Sequence, residues 1–387
     1  IGDMNILLVS DVYLPTVSGV ATSTDSIARF MASQGHQVTL VCPRPLVPFV
    51  MPDVPGLTIV YTPGVSDALF VNKSMTPFPL GFGKLWHIVR SGNVDVMHVQ
   101  EPGSLGVTAL FLAKLFRVPV VGAQHFSWIQ VEKVAPPLLR WISVPFIKLY
   151  VRVIYAGFAA IMVPTETAKR DLATIIGNAS RIHPISNGVD TNVYMPRTRQ
   201  LSPLRTAYAL PKDAPIFLYI GRLDADKNID TILRAMPQVK SRIHVVIAGV
   251  GKQKERLLGL ARELGIKNIT WVGEVQKQTI IDLYQLADGF VIMSPVETQS
   301  IVALQAISCG LPLIAANAGA LPELVDGTNG FLVDTNDDRT LAQCLDQLAT
   351  SPALRKKMGQ RSRIIGLAHH KPLVLAKLEA LYGQVIT

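Results

Sequence analysis

Short, nearly uninterrupted apolar runs alternate along this chain with longer stretches of helical pattern. In the first half the runs are 6–9, 37–41, 57–61, 94–98, 119–121 and 160–163; in the second they are 216–220, 244–248, 269–272, 289–293, 313–315 and 330–333. Continuous apolar runs, as opposed to strict apolar–polar alternation, predict strands of parallel sheets covered by helices on both faces. The pattern runs through twice and predicts two doubly wound α/β domains. Between the halves, Asn187-Gly188-Val189-Asp190 is followed by a polar, Pro- and Arg-bearing stretch at 195–203, which has linker composition. The expected division is an N-terminal domain at 1–190, a C-terminal domain at 191–366, and a terminal helix at 367–387 returning to the first domain. Ligands of such sheets bind beyond the carboxyl ends of the strands, near the switch in strand order. With two domains facing across a cleft, the cleft is the expected site.

Composition narrows the classes. A length of 387 residues suits two domains, and 49% hydrophobic against 17% charged residues argues against disorder. The net charge of +9 favours anionic partners without choosing among nucleotides, nucleic acid and acidic membrane. Cys42, Cys309 and Cys344 are widely spaced and odd in number, which fits a reducing, cytoplasmic setting better than a disulfide framework or a zinc site. Met4-Asn5-Ile6-Leu7-Leu8-Val9 reads as a buried strand, not as a signal peptide. The most apolar long window, 138–164, is broken by Arg140, Lys148 and Arg152, so no spanning helix is expected.

The candidate chemistry follows the strands. The run 216–220 leads into Gly221-Arg222-Leu223-Asp224-Ala225-Asp226-Lys227-Asn228 and then a helix. Arg222 offers a bidentate fork and Lys227 a point charge, a pair suited to a diphosphate near a helix start. Two solvated surface cations would read the same way. Asp224-Ala225-Asp226 mimics a metal-binding D-x-D, but the adjacent cations already supply positive charge, and no metal is expected. Farther on, Ser294-Pro295-Val296-Glu297-Thr298-Gln299-Ser300-Ile301 leads into an apolar helix that ends at Cys309-Gly310-Leu311-Pro312. The backbone N–H groups of Thr298 to Ile301 form an expected anion site. Glu297 is either an N-cap or an acceptor for sugar hydroxyls. His369-His370 lies in a C-terminal helical region and is expected to be solvated.

Taken together, Gly-Arg-x(4)-Lys and Glu-Thr-x-Ser-x-Val-x-Leu-x-Ala-x-x-x-Gly-x-Pro resemble the retaining family-4 (group 1) glycosyltransferases, whose GT-B fold pairs two Rossmann-like domains. The likeness covers nearly the whole chain. It takes in Asn187-Gly188-Val189-Asp190, Val272-Gly273-Glu274-Val275, Leu321-Pro322-Glu323-Leu324-Val325 and Asn329-Gly330-Phe331-Leu332-Val333, and their joint order is specific where each alone is weak. The resemblance implies that Arg222 and Lys227 hold the donor diphosphate and stabilise the leaving group. It implies that Glu297 binds donor-sugar hydroxyls and that Thr298 and the amides of Gln299, Ser300 and Ile301 meet sugar and phosphate oxygens. Glu274 and Val275 would meet the nucleotide base. Where the family usually has a second Glu on the ribose, this chain has Gln305, which keeps one acceptor oxygen and no charge.

In the first half, Ser10 to Ser23 resembles the family's N-terminal loop, with Ser18 in place of one Gly and Gly19 retained to approach the donor. His125 matches a histidine near the reacting sugar. The implied reaction is metal- and cofactor-free hexosyl transfer from a UDP- or GDP-sugar to a hydroxyl acceptor. Residues 138–158 mix cations, Trp and Tyr among aliphatics, which suits either an interfacial helix on anionic lipid or a long core helix. Tyr13 to Ser23, Gln100, Ser104-Leu105-Gly106 and 148–152 also resemble the glycolipid-synthesising branch, so a diacylglycerol-type acceptor and peripheral membrane contact are expectations. The alternative that Gln305 motivates is a catalytically weak or inactive scaffold subunit. Nucleic acid, suggested by charge alone, is not an expected partner.

Overall fold

The computed structural model describes residues 2–16, 18–66, 74–126, 140–196 and 202–387. The chain divides into two compact units, Ile1–Ser186 with Val374–Thr387, and Asn187–Leu373.

The first unit carries β1 (Asn5–Val9), β2 (Gln37–Pro43), β3 (Leu57–Thr62), a short antiparallel pair β4 (Val65–Ser66) and β5 (Ser74–Met75), then β6 (Val96–Val99), β7 (Val120–Ala123), β8 (Ala160–Val163) and β9 (Ile182–Pro184). Its main sheet is parallel in the order β3-β2-β1-β6-β7-β8-β9. The apolar runs became strands with shifts of one or two residues at the ends. The added edge strand β9 is Ile182-His183-Pro184, too short and too mixed to stand out as an apolar run. Its proline fits an edge, where a ladder donor can be missing. The last helix, Lys371–Ile386, packs Val374, Leu375, Leu378, Leu381 and Tyr382 into the same core as Met4, Ile6 and Leu8. That spacing is one face of a helix, and burying each large side chain contributes about 1.5–3 kcal/mol.

The second unit has β10 (Ile216–Ile220), β11 (His244–Ala248), β12 (Ile269–Gly273), β13 (Gly289–Ile292), β14 (Leu313–Ala316) and β15 (Gly330–Val333). They form a parallel sheet in the order β12-β11-β10-β13-β14-β15. Every residue of β10 is buried, as the central strand of a sheet covered on both faces must be. The order reverses between β10 and β13, so the loops after these two strands flank the switch point where doubly wound sheets bind ligands. In the first unit the corresponding loops follow β1 and β6. Among the described residues no helix is long and apolar enough to cross a membrane.

Candidate active site

The loop after β10 is braced by the loop after β11. Gly221 N donates to Ala248 O at 3.1 Å and Leu223 N to Val250 O at 2.9 Å. Gly249 makes this approach feasible: its φ is +140°, and a Cβ there would stand 1.9 Å from Gly221 O. Tyr219 Oη donates to Arg222 O at 2.9 Å and fixes the backbone of the first cation. The Arg222 guanidinium, 62% exposed, pairs with Asp224 and, at 3.0 Å, with Asp226. Both carboxylates of the D-x-D-like segment are therefore engaged with a cation. Lys227 Nζ reaches Glu297 Oε1 at 2.7 Å and lies 3.4 Å from Asp226, with only 16% of the Lys227 and 12% of the Glu297 side chain exposed. Sequence-distant cation and carboxylate thus meet at the switch point.

The Glu297 loop is fixed from two sides. Ser294 Oγ donates to Asp226 O at 3.0 Å, joining the loops after β13 and β10. Ala320 N donates to Glu297 O at 2.9 Å, and Gly319, at φ +56°, allows the contact because a Cβ there would lie 2.8 Å from Glu297 N. Sequence reading missed Tyr219, Ser294 and Gly319; a Gly shortly after a strand was the available signal for the last.

Some local expectations need correction. The helix begins at Ile301, not at Thr298, and its N-cap is Ser300, whose Oγ accepts from Ala303 N at 3.3 Å. Ser300 has the extended backbone and short hydroxyl that an N-cap requires, so Glu297 is not the cap. Thr298 and Gln299 precede the helix, and the Gln299 side-chain oxygen accepts from Asn187 N at 2.7 Å. The Gln305 oxygen accepts from Tyr284 Oη at 3.1 Å, and the Tyr284 ring meets that of Tyr194 edge-on with centroids 5.9 Å apart. Glu274 is exposed beyond β12, and Val275 packs against the core of the second unit. His370 is not simply solvated: its Nδ1 lies 2.8 Å from Thr191 Oγ1, beside the Val189–His370 bridge.

In the first unit, Ser18 is the N-cap of the helix Gly19–Ser33, its Oγ accepting from Ala21 N at 3.1 Å, which explains a serine there; Gly19 is the exposed first helical residue. Asp11, unremarked in the sequence, accepts from Leu105 N at 2.9 Å and Gly106 N at 3.2 Å, linking the loop after β1 to the first turn of the helix Ser104–Phe116 that follows β6. His125 lies two residues beyond β7, with Nε2 3.1 Å from Gln100 Oε1. Gln100 Nε2 is 3.2 Å from both ring nitrogens of the buried His98, whose Nδ1 is 2.6 Å from Tyr382 Oη. Burial lowers the His125 pKa to about 4 and, reinforced by His125, that of His98 to about 3. Both imidazoles are neutral near pH 7.

Comparison with known proteins decides the family. The profile described as "Glycosyl transferases group 1" matches residues 203–364, and that described as "Glycosyltransferase Family 4" matches residues 17–193. The chain belongs to the family-4, group 1 glycosyltransferases. This glycosyltransferase is 26% identical over 335 residues to an alpha-monoglucosyldiacylglycerol synthase of Streptococcus pneumoniae, covering 83% of this chain and 73% of that one. It is 31% identical over 228 residues to a D-inositol 3-phosphate glycosyltransferase of Mycolicibacterium smegmatis, covering 56% of this chain and 51% of the relative. The match thus spans about half of that relative's length. Among solved structures, Anabaena HepE in complex with UDP superposes with a TM-score of 0.77 at 16% identity, over 98% of this chain and all of that one, and shares the two-domain α/β fold of GT-B type.

Proposed function

We propose that this glycosyltransferase moves a hexose from a UDP- or GDP-linked donor to a hydroxyl acceptor, with retention of anomeric configuration and without a metal ion. The observation that carries the reading is the convergence of Arg222, Lys227 and Glu297 on the switch point of the second unit. In this reading Arg222 exchanges its aspartate partners for the donor diphosphate, and Lys227 neutralises charge as the nucleotide leaves. Glu297 accepts hydrogen bonds from donor-sugar hydroxyls. Neutral His125 hydrogen-bonds a sugar hydroxyl and does not act as a cationic acid. Glu274 and Val275 meet the base, and the amides from Thr298 to Ile301 line the donor. The UDP bound to HepE supports a uridine donor by analogy of fold. The role on the ribose assigned to residue 305 is weakened, because the Gln305 oxygen already accepts from Tyr284.

The acceptor we propose is a diacylglycerol-type lipid at an anionic membrane face. The helix Arg140–Ala156 exposes Trp141, Phe146, Leu149 and Val153 beside Lys148 and Arg152; Leu138 and Leu139 lie outside the described residues. An open groove of about 570 Å³, lined by Phe78, Phe82, Val107, Phe111 and Tyr150, adjoins it. The free, buried Cys42, Cys309 and Cys344 support a reducing, cytoplasmic setting. A non-catalytic scaffold is the second reading, favoured by the tyrosine-bound Gln305. Incubating the protein with UDP- and GDP-sugars, diacylglycerol vesicles and excess chelator tests both. Release of nucleotide with formation of an α-glycolipid is expected; inertness with every donor favours the scaffold.

A further inference from the structure

The open groove of about 570 Å³ in the first unit runs along the helix Ser104–Phe116. Ser104, Val107, Thr108 and Phe111 line it, at the spacing of a single helical face. Phe78, Phe82 and Tyr150 complete the lining from neighbouring segments. A rise of 1.5 Å per residue puts Phe111 about 10 Å beyond Ser104 along the helix axis. The Ser104 end is fixed in place: Leu105 N and Gly106 N donate to Asp11, so this end stands at the loops after β1 and β6, where the sheet order reverses. Phe111, at the other end, is 59% exposed, and Phe78 is 70% exposed.

The lining selects hydrocarbon. Among the described residues no charged side chain borders the groove. Its three hydroxyls each give their proton to a backbone carbonyl: Ser104 Oγ to Thr76 O, Thr108 Oγ1 to Ser104 O at 2.7 Å, and Tyr150 Oη to Pro102 O. A sugar or a peptide entering here would leave polar groups poorly matched, whereas an alkyl chain has none to match. The surface around the outer end says where such a chain comes from. One turn beyond Phe111 the exposed Leu115 continues the apolar strip, between the exposed Lys114 and Arg117. The helix that supplies Tyr150 exposes Phe146, Leu149 and Val153 beside Lys148 and Arg152. Apolar side chains set among cations complement an anionic lipid surface.

We propose that this groove binds one acyl chain of a glycerolipid, with the glycerol end at Ser104 and the chain running outward past Val107 to Phe111. The polarity of the site matches that of the ligand: its inner end lies at the switch point of the sheet, and its outer end opens among exposed apolar and cationic side chains. That the lipid held here is also the glycosyl acceptor rests on the function proposed above; the binding of the chain does not. The groove takes a single chain, so the second chain of a diacyl lipid stays in the membrane.

Titration calorimetry of the full chain with 1-monoacylglycerols from hexanoyl to dodecanoyl, each below its aggregation concentration, tests this without turnover. Kd should fall by about two- to fourfold for each added methylene, the value of burying one, and level off once the chain passes Phe111. Val107→Trp, which fills the groove, should abolish the dependence on chain length. Phe111→Ala, at an exposed position that the fold does not need, should bring the levelling-off to a shorter chain, and it decides the matter if Val107→Trp does not fold. Affinity independent of chain length, or the same dependence in all three proteins, would overturn the proposal. So would a dimer in sedimentation that Val107→Trp dissolves and monoacylglycerol does not, since the occupant would then be a second copy of the chain. Chain-dependent binding without any glycolipid formed from sugar nucleotides upholds the groove and removes the acceptor reading. Glycolipid formed with an unaltered chain preference in Val107→Trp does the reverse.

Discussion

Lys227 Nζ lies 2.7 Å from Glu297 Oε1, although 70 residues separate them in sequence. The two sit on the loops that leave β10 and β13, the strands between which the sheet order reverses. Ser294 closes the same junction from below through Asp226 O. A cation and a carboxylate are thus set against one another by the fold, which in the proposed reading is the preorganisation that electrostatic catalysis needs.

If the pair works as a unit, its members should not contribute independently. Lys227→Ala and Glu297→Ala are each expected to lower donor turnover by about 100-fold or more. The double variant should lose much less than the product of the two effects. Steady-state nucleotide release measures all three; multiplicative losses would show that the contact carries no function.

Asp226 competes for the cations. Its carboxylate lies 3.0 Å from Arg222 and 3.4 Å from Lys227. Asp226→Asn should therefore tighten nucleoside diphosphate binding by about two- to fivefold, the scale of a partly exposed ion pair. Titration calorimetry at low and high salt checks this, and the gain should shrink as salt is added.

Two glycines of the second unit should respond to alanine with opposite signs. Gly249→Ala forces a Cβ to within 1.9 Å of Gly221 O at a φ of +140°, and should destabilise the protein by more than about 1 kcal/mol. Gly259, inside the helix Lys254–Glu263, has nothing within 4 Å of its Cβ position, and Gly259→Ala should stabilise by about 0.4–1 kcal/mol. Urea denaturation of both variants gives the comparison.

Histidine burial fixes the sign of the acid response. His98 and His125 have folded pKa values lowered to about 3 and about 4 from an ordinary 6.5. Between those values and 6.5 the unfolded chain binds more protons, so stability falls as pH drops through that window. His183 and His244, also lowered by burial, act in the same direction. Tm should fall from pH 7 to pH 5, and His98→Gln should flatten the fall; a Tm that rises on acidification would contradict the burial of these rings.

Much of the architecture could be read from the chain because parallel strands buried on both faces leave uninterrupted apolar runs, as 216–220 and 289–293 do. The Arg222–Lys227 turn and Glu297 were legible as a candidate site because they follow such runs, and the fold brings Lys227 and Glu297 together. What was not legible is pairing between distant segments. Nothing local in Gln305 announces Tyr284, nothing in His98 announces Tyr382, and nothing in Asp11 announces the amides of Leu105 and Gly106. The cap of the helix Ile301–Ser308 was open for a different reason: Thr298 and Ser300 are both favoured capping types and Glu297 offers a carboxylate, and only the backbone conformation selects Ser300.

The central claim is that Arg222 and Lys227 form the diphosphate site of a nucleotide-sugar donor. Titration calorimetry of UDP, GDP and ADP against the unsubstituted protein, Arg222→Ala and Lys227→Ala tests it most directly. UDP or GDP should bind the unsubstituted protein in preference to ADP, and each substitution should weaken that binding by about 10- to 100-fold, the value of a charge-assisted hydrogen bond. Equal affinity in all three proteins would contradict the account.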